Sequence, residues 1–327
     1  MGIMFWTQIR YQGGVLLSTI DLWLDPRGRR EWAFISHAHS DHIAAHDEVI
    51  LSEGTFHFLR HRKMQPRKAL RLPFGEPCDV RGVEITLYPA GHILGSAQLV
   101  AAVDGQRVLY SGDFKLGANS AAEEIVVPRA EVLVMETTYG HRRYAFPAAE
   151  GVVAEMAAWC DACLADGVTP VLLGYSLGKG QEILTALAGH NYRFLLHDAL
   201  YQTTRIAEDL GVAFPPFERW SPGEGEGCVV LCPPHLRKWL VGKLPPHRSA
   251  IVSGWAQDAG ARFRYGTDTA FCLSDHADYN DLMHYVAQVQ PERILTVHGF
   301  ASEFASELRR LGYDAHALDQ PDQLELF

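Results

Sequence analysis

The sequence holds no uninterrupted run of about eighteen apolar residues, so no transmembrane helix is expected. Met1 to Tyr11 has no basic segment followed by an apolar one, so no export signal is expected there. Cysteine is scarce, six in 327 residues: Cys78, Cys160, Cys163, Cys228, Cys232 and Cys272. Without an export signal these read as reduced thiols, not a disulfide framework. Cys160 and Cys163 have CxxC spacing but sit in an alanine-rich helical run, and no second CxxC exists because Cys228 and Cys232 are four apart. They are expected to be free thiols on a helix or in the core. An excess of positive charge is also missing. Lys and Arg number 29 against 39 Asp and Glu, a net charge of −10. A surface that grips nucleic acid all over is usually basic, so a polyanion here must be held by a local patch or by metal ions. Internal repeats and low-complexity tracts are absent. The expectation is a cytoplasmic protein with no membrane partner.

The composition, 47% hydrophobic and 21% charged, is that of a globular chain, and 327 residues exceed what one core usually serves. Two lobes are therefore expected. The first part reads as short strands. Gly13-Gly14 divides Thr7–Tyr11 from Val15–Ile20, and Ala33–Ser36 is an apolar run feeding a polar cluster. Val83–Tyr88, Ala97–Val103, Arg107–Tyr110 and Val132–Met135 repeat that pattern, with a hairpin signal at Asp104-Gly105. A helix is expected after His42. Around Pro147 the character changes. A long helix, Ala148–Asp166, precedes the strand Pro170–Leu173, the helix Gln181–Ala188, the strand Phe194–His197 and the helix Tyr201–Leu210. Such alternation predicts a small parallel α/β lobe. Phe214–Gly227, rich in proline, glycine and glutamate, reads as a loop. Strand character returns near Ala270, at Phe271–Leu273 and Ile294–Val297, before an amphipathic helix, Ser302–Leu311. One domain interrupted by another is the simplest arrangement.

The densest chemical signal is His37-Ala38-His39-Ser40-Asp41-His42, directly after an apolar strand. Imidazole and carboxylate together suit zinc and similar divalent ions. His92 in Pro89-Ala90-Gly91-His92, Asp113 in Tyr110-Ser111-Gly112-Asp113 and His298 in Thr296-Val297-His298-Gly299 each end a predicted strand. Taken singly they would be ordinary turn or capping residues. A glycine directly before His92 and Asp113 permits close backbone approach. Gly178-Lys179-Gly180 precedes a predicted helix, whose N-terminus attracts anions, so Lys179 and the nearby Ser176 are expected to hold a substrate phosphate. The spacing is not that of a nucleotide-binding P-loop.

In their order, HAHSDH, AGH, SGD and VHG resemble the metallo-β-lactamase superfamily. Glu136-Thr137-Thr138-Tyr139-Gly140 is similar to the acidic motif that opens the β-CASP insert of its nuclease branch. Ser274-Asp275-His276-Ala277-Asp278-Tyr279 is similar to the histidine motif that closes it. The resemblance spans nearly the whole chain. With Gly174–Gln181 it is greatest toward small bacterial DNA exonucleases associated with DNA ligase. It implies an α/β fold: a metallo-β-lactamase αββα sandwich of residues 1–145 and 270–327, interrupted by an α/β β-CASP domain of residues 146–269. It also implies two divalent ions, zinc by ligand type with manganese as the other occupant. His37, His39 and His92 would hold one ion, Asp41, His42 and His298 the other, and Asp113 both. Asp25 would support the metal loop from behind. Glu136 and His276 would form a pair outside the ligand set, with His276 as general acid; Asp41 and Asp113 would belong to the catalytic machinery.

The implied function is phosphodiester hydrolysis, with a nucleic acid substrate, DNA favoured over RNA. The implied setting is digestion of single-stranded ends in DNA repair, beside DNA ligase or other repair proteins. Three other readings stay open. An RNA-processing β-CASP ribonuclease shares every motif, and a histidine at the position of His298 is found in RNA-acting members. A small-molecule hydrolase explains the metal motif but not the inserted lobe with Glu136 and His276. A non-catalytic nucleic-acid scaffold is disfavoured because the matched ligands are intact.

Overall fold

Short apolar runs between turns give this chain nineteen strands among the described residues, grouped in three sheets. The computed structural model describes residues 9–64, 66–103 and 105–318. They divide into two compact units. One takes in Glu123–Arg143, the described residues before Asn119 and those from His276 onward; the other takes in Asn119–Ala122 and Tyr144–Asp275.

The first unit opens with β1 (Ile9–Tyr11), β2 (Val15–Leu17), β3 (Leu22–Leu24), β4 (Trp32–Phe34), β5 (Glu48–Leu51), helix α1 (Glu53–His61) and β6 (Lys68–Arg71). These strands form one sheet in chain order, antiparallel from β1 to β3 and parallel from there on. Next come β7 (Cys78–Val80), β8 (Val83–Pro89), β9 (Ala97–Val103), β10 (Gln106–Tyr110) and β11 (Val132–Glu136). The second unit supplies α2 (Ala149–Ala165), β12 (Thr169–Leu173), α3 (Lys179–Ala186), β13 (Phe194–Leu196), α4 (Asp198–Asp209), β14 (Phe217–Arg219), β15 (Val229–Cys232), α5 (Arg237–Val241), β16 (His247–Val252), α6 (Ala261–Tyr265) and β17 (Thr269–Phe271). The chain then returns to the first unit with α7 (Tyr279–Val289), β18 (Arg293–Val297), α8 (Ala301–Arg310) and β19 (Ala315–Ala317). There β18 pairs in parallel with β11, giving the order β19-β18-β11-β10-β9-β8-β7.

Side chains alternate across a strand, and the burial follows that period. Val108, Tyr110, Val132 and Val134 join Leu17, Leu22, Phe34 and Ile50 of the first sheet in one core. Leu109, Leu133 and Met135 face the other way, against Tyr285 of α7 and Phe304 of α8. Two sheets therefore pack face to face with helices outside, the layering expected of a metallo-β-lactamase sandwich. The second unit is a wholly parallel sheet, β14-β13-β15-β12-β16-β17. Its strands are apolar on both faces because helices cover both. Leu172, Leu196 and Leu231 pack with Met156, Leu184 and Leu200, while Val171, Leu195 and Val230 pack with Trp220 and Leu240.

Two details differ from the sequence reading. Phe217–Arg219, inside the expected loop, pairs with β13 as an edge strand. Thr269–Phe271 pairs with β16, so the second unit runs to Asp275 instead of ending at residue 269. Asp104 lies outside the described residues; β9 and β10 on either side pair antiparallel, with Gln106 opposite Val103. Cys160 and Cys163 are buried with free thiols, and burial pushes Cys160 up to about 12. No helix among the described residues is long and apolar enough to cross a membrane.

Candidate metal centre

The polar residues singled out in the first unit sit where strands end. β4 runs into Ile35–His42, β8 into His92, β10 into Asp113, β11 ends on Glu136, and β18 runs into His298. The loops can meet only because particular positions lack a side chain. A Cβ on Gly112 (φ 54°) would lie 2.7 Å from the Ser36 Cβ, and one on Gly91 (φ 76°) would lie 2.5 Å from the Lys115 carbonyl oxygen. His298 itself takes φ 62°, a conformation that costs a non-glycine residue energy. Thr137 holds it there: its Oγ1 donates to the His298 carbonyl at 2.6 Å.

His37, His39 and His92 converge. His39 Nδ1 lies 3.1 Å from His37 Nε2 and 3.2 Å from His92 Nε2. A second group shares His37. Asp113 Oδ2 lies 3.5 Å from His37 Nε2 and 3.3 Å from His42 Nε2. Asp41 Oδ2 stands 3.7 Å from His42 Nε2 on an exposed carboxylate, and the His298 ring lies 5.8 Å from the His42 ring. His37, His39 and His92 thus form one trio of ligand atoms and His37, His42 and Asp113 another, each within 4.8 Å. Asp41 and His298 border the second trio without joining it.

Behind these residues Asp25 is buried at φ 44° and ties the loops together. It accepts from Ser36 N at 2.7 Å, Ser36 Oγ at 2.6 Å and Tyr110 Oη at 2.9 Å. Because the single Ser36 hydroxyl proton goes to Asp25, Ser36 Oγ must accept from His37 Nδ1, 2.9 Å away. The proton of His37 is then on Nδ1, and Nε2 turns its lone pair to the cluster. His42 Nδ1 lies 3.0 Å from Asp25 Oδ2, close enough for an ion pair but off the line of a hydrogen bond.

The electrostatics are those of a site short of positive charge at one point and crowded at another. Burial, with His42 next to it, holds His37 well below the ordinary imidazole range. Burial would lower His42 too, but the Asp113 and Asp25 carboxylates overcome it and hold His42 well above that range. Burial alone would raise Asp113; His42, His276 and His37 outweigh it and hold the carboxyl well below its usual range. Three imidazole nitrogens facing one point, from two buried rings and the half-buried His39, form a group that could hold a cation. The donors are nitrogen and oxygen without thiolate, which suits zinc and other borderline or hard divalent ions.

Beside the cluster, Glu136 is buried and accepts three ways. Oε1 takes Phe114 N at 3.1 Å and His276 Nδ1 at 3.0 Å; Oε2 takes Thr138 N at 3.0 Å. The His276 side chain is 18% exposed and its ring lies 4.4 Å from that of His92. Asp113, Glu136 and His276 also bring ligand-type atoms within 4.8 Å of one another.

Lys179 departs from expectation. It opens α3, but its side chain is buried, and its ammonium is committed to Glu182 and, at 3.4 Å, to Asp275. The two carboxylates keep its pKa above the ordinary lysine value in spite of burial. It is an internal ion pair and not a charge offered to a phosphate. Ser176 is half-buried on the turn before it, where its carbonyl accepts from Thr203 Oγ1 and Gln181 Nε2. Sequence reasoning missed Ser36, Tyr110 and Thr137, which position the ligand-bearing loops. Ser36 stands directly before His37, and Tyr110 and Thr137 lie inside the motifs of Asp113 and Glu136, but the partners of the latter two, Asp25 and the His298 carbonyl, are far away in sequence.

A family model described as the Zn-dependent metallo-hydrolase RNA specificity domain matches residues 270–318. A protein from Opitutus terrae called "Probable DNA ligase" is 44% identical over 97% of this chain and 32% of its own length. An "RNase J-like protein" from Methanocaldococcus jannaschii is 22% identical over 66% of this chain and 64% of its own length. The chain thus spans between about a third and two thirds of these relatives. A crystal structure of a protein of unknown function from Enterococcus faecalis V583 superposes with TM-score 0.58 over 90% of this chain and 80% of that one, at 13% identity, a likeness of fold.

Proposed function

We propose that this chain, which belongs to the β-CASP family of the metallo-β-lactamase superfamily, is a two-metal phosphodiester hydrolase that digests single-stranded DNA from an end. The observation that carries the reading is the place of Asp113 Oδ2, 3.5 Å from His37 Nε2 in the three-histidine group and 3.3 Å from His42 Nε2. His37, His39 and His92 would hold one ion, Asp41, His42 and His298 the other, and Asp113 both. Zinc is the expected occupant and manganese the alternative, and such ions supply Lewis acidity and an activated water when bound.

The chain's own residues do the rest. Asp25, through Ser36, keeps the proton of His37 on Nδ1 and its Nε2 turned inward. Glu136 Oε1 accepts the Nδ1 proton of His276, 3.0 Å away, and stabilises the imidazolium. His276 then gives its Nε2 proton to the leaving oxygen as a general acid. Glu136 is itself held by Phe114 N and Thr138 N, so the pair is oriented before substrate arrives.

DNA is favoured because the Opitutus relative, which aligns with 97% of this chain over 32% of its own length, is called a probable DNA ligase. A repair setting in the cytoplasm beside DNA ligase belongs to the same proposal. A second reading, an RNA-processing nuclease, is supported by the RNA specificity match over 270–318 and the RNase J-like relative. Digestion of end-labelled single-stranded DNA and RNA, with zinc or manganese, separates the two. Preference for RNA removes the DNA part, and rapid cutting of a covalently closed circle removes the exonuclease part.

A further inference from the structure

Phe114, directly after Asp113, is the residue to which both members of the acid pair are tied. Its N–H donates to Glu136 Oε1 at 3.1 Å, the oxygen that His276 Nδ1 also reaches, at 3.0 Å. Its carbonyl accepts from Ala277 N at 2.7 Å, so the main chain next to His276 hangs on the same residue. A displacement of Phe114 therefore moves the Glu136 oxygen and the His276 backbone together.

Phe114 is fixed in turn by its side chain. It is fully buried, and its ring lies 4.1 Å from that of Tyr285 on α7, tilted by 30°. Ring pairs this close have preferred geometries beyond the area they bury. Tyr285 is itself pinned at its far end, where its hydroxyl donates to Gln98 Oε1. Gln98 is buried on β9, and its Nε2 donates to the Pro89 carbonyl at 2.9 Å and the Val126 carbonyl at 2.8 Å. Both amide protons are thus used, which fixes the amide's orientation and leaves Oε1 as the acceptor for Tyr285. Burial, with the Glu136 carboxylate, holds the Tyr285 hydroxyl well above its ordinary range, so it stays a donor at neutral pH. Buried polar networks satisfied in this way rigidify what they join. Pro89 stands three residues before His92, so the same chain of bonds runs from the three-histidine group to the acid pair.

We infer that Tyr285 is a positioning residue for proton delivery. Through its ring against Phe114 and its hydrogen bond to Gln98, it sets where the Glu136–His276 pair stands relative to Asp113. The inference rests on the general-acid role given to His276 above and deepens it. Tyr285 acts through Phe114 and is not itself a catalytic residue.

The chemistry offers a readout that a purely structural role would not move. A nucleic acid strand leaves as an alkoxide and needs the proton from His276, whereas p-nitrophenolate leaves without one. The test compares turnover of single-stranded DNA with that of bis(p-nitrophenyl) phosphate, zinc being present in both. The ratio of the two should fall about tenfold in Tyr285→Leu, part of the ~10²–10⁴ that a general acid contributes. Tyr285→Phe keeps the ring against Phe114 and should lose only a few-fold; it carries the test if far-UV circular dichroism shows Tyr285→Leu unfolded. Equal slowing on both substrates, with the ratio unchanged, overturns the inference. A second measurement needs no hydrolysis. The His276 Nδ1 proton, followed by NMR in zinc-loaded protein with ¹⁵N-labelled histidine rings, should shift in the Tyr285 variants. An unchanged signal overturns the inference whatever the rates. A shifted signal in a protein whose wild type hydrolyses neither substrate overturns the nuclease reading and leaves the positioning of His276 by Tyr285 intact.

Discussion

Two buried polar clusters stand at strand ends, one around His37 and Asp113 in the first unit, the other around Lys179 in the second. The second closes on itself. The Lys179 ammonium meets Glu182 and Asp275, and Gln181 is taken up by Gly178 N, Thr204 Oγ1 and the Ser176 carbonyl. Every charge there has an opposite partner, so nothing further is called for. The first cluster converges on a common point instead. His37, His39 and His92 direct nitrogens at one place, and Asp113 is shared between His37 and His42. In the sequence the first looked functional through its density of ligand types, and the second through a glycine-lysine-glycine turn before a helix. Geometry separates a structural ion pair from a site built for a ligand, because a buried charge is tolerated only when paired, whether by the protein or by something bound to it.

The sharpest way to break this comparison is to remove the shared carboxylate. Asp113→Ala should abolish hydrolysis, with far-UV circular dichroism close to wild type, since one residue serves both groups. Near-normal turnover would dispose of the two-metal assignment. His276→Ala is expected to slow turnover by ~10²–10⁴, the usual contribution of a general acid, with metal content unchanged. Loss of an ion in this variant, read by elemental analysis, would make His276 a ligand, a possibility its grouping with Asp113 and Glu136 keeps chemically sensible.

Lys179→Ala tests the other side. It leaves Glu182 and Asp275 buried without their cation, and removing one partner of a buried pair costs ~3–5 kcal/mol, to be read from denaturant unfolding. The salt dependence of strand binding should not change. A phosphate-binding lysine would give the opposite pattern, little loss of stability and a reduced salt slope. The mildest change is Asp25→Asn. Asparagine tolerates the φ of 44° but loses the charge behind His37 and His42. Zinc affinity, measured by competition with a chelator, should fall about 10–100-fold, the scale for residues that support metal ligands.

Much of this was legible in the sequence. The strand ends at Phe34, Pro89, Tyr110 and Val297 follow from apolar runs that stop at polar clusters, and the α/β alternation after Pro147 gave a parallel sheet. Ligand types could be read because His37–His42 places four potential donors within six residues. What could not be read depends on contacts between distant segments. Phe217–Arg219 is a strand because β13 lies beside it, not through its own composition. Lys179 is buried because Asp275, 96 residues later, lies within 3.4 Å of it. The same holds for Tyr110 on Asp25, 85 residues apart. A glycine-lysine-glycine turn before a helix reads as an anion site until the packing shows that its cation is already used.

The central claim is that two ions held through Asp113 carry out phosphodiester hydrolysis. It is tested most directly by adding zinc in steps to the metal-free protein and following the initial rate on end-labelled single-stranded DNA. The rate should be negligible without zinc and reach its plateau at two equivalents per chain. Full activity without added metal, or a plateau at one equivalent, would contradict the claim.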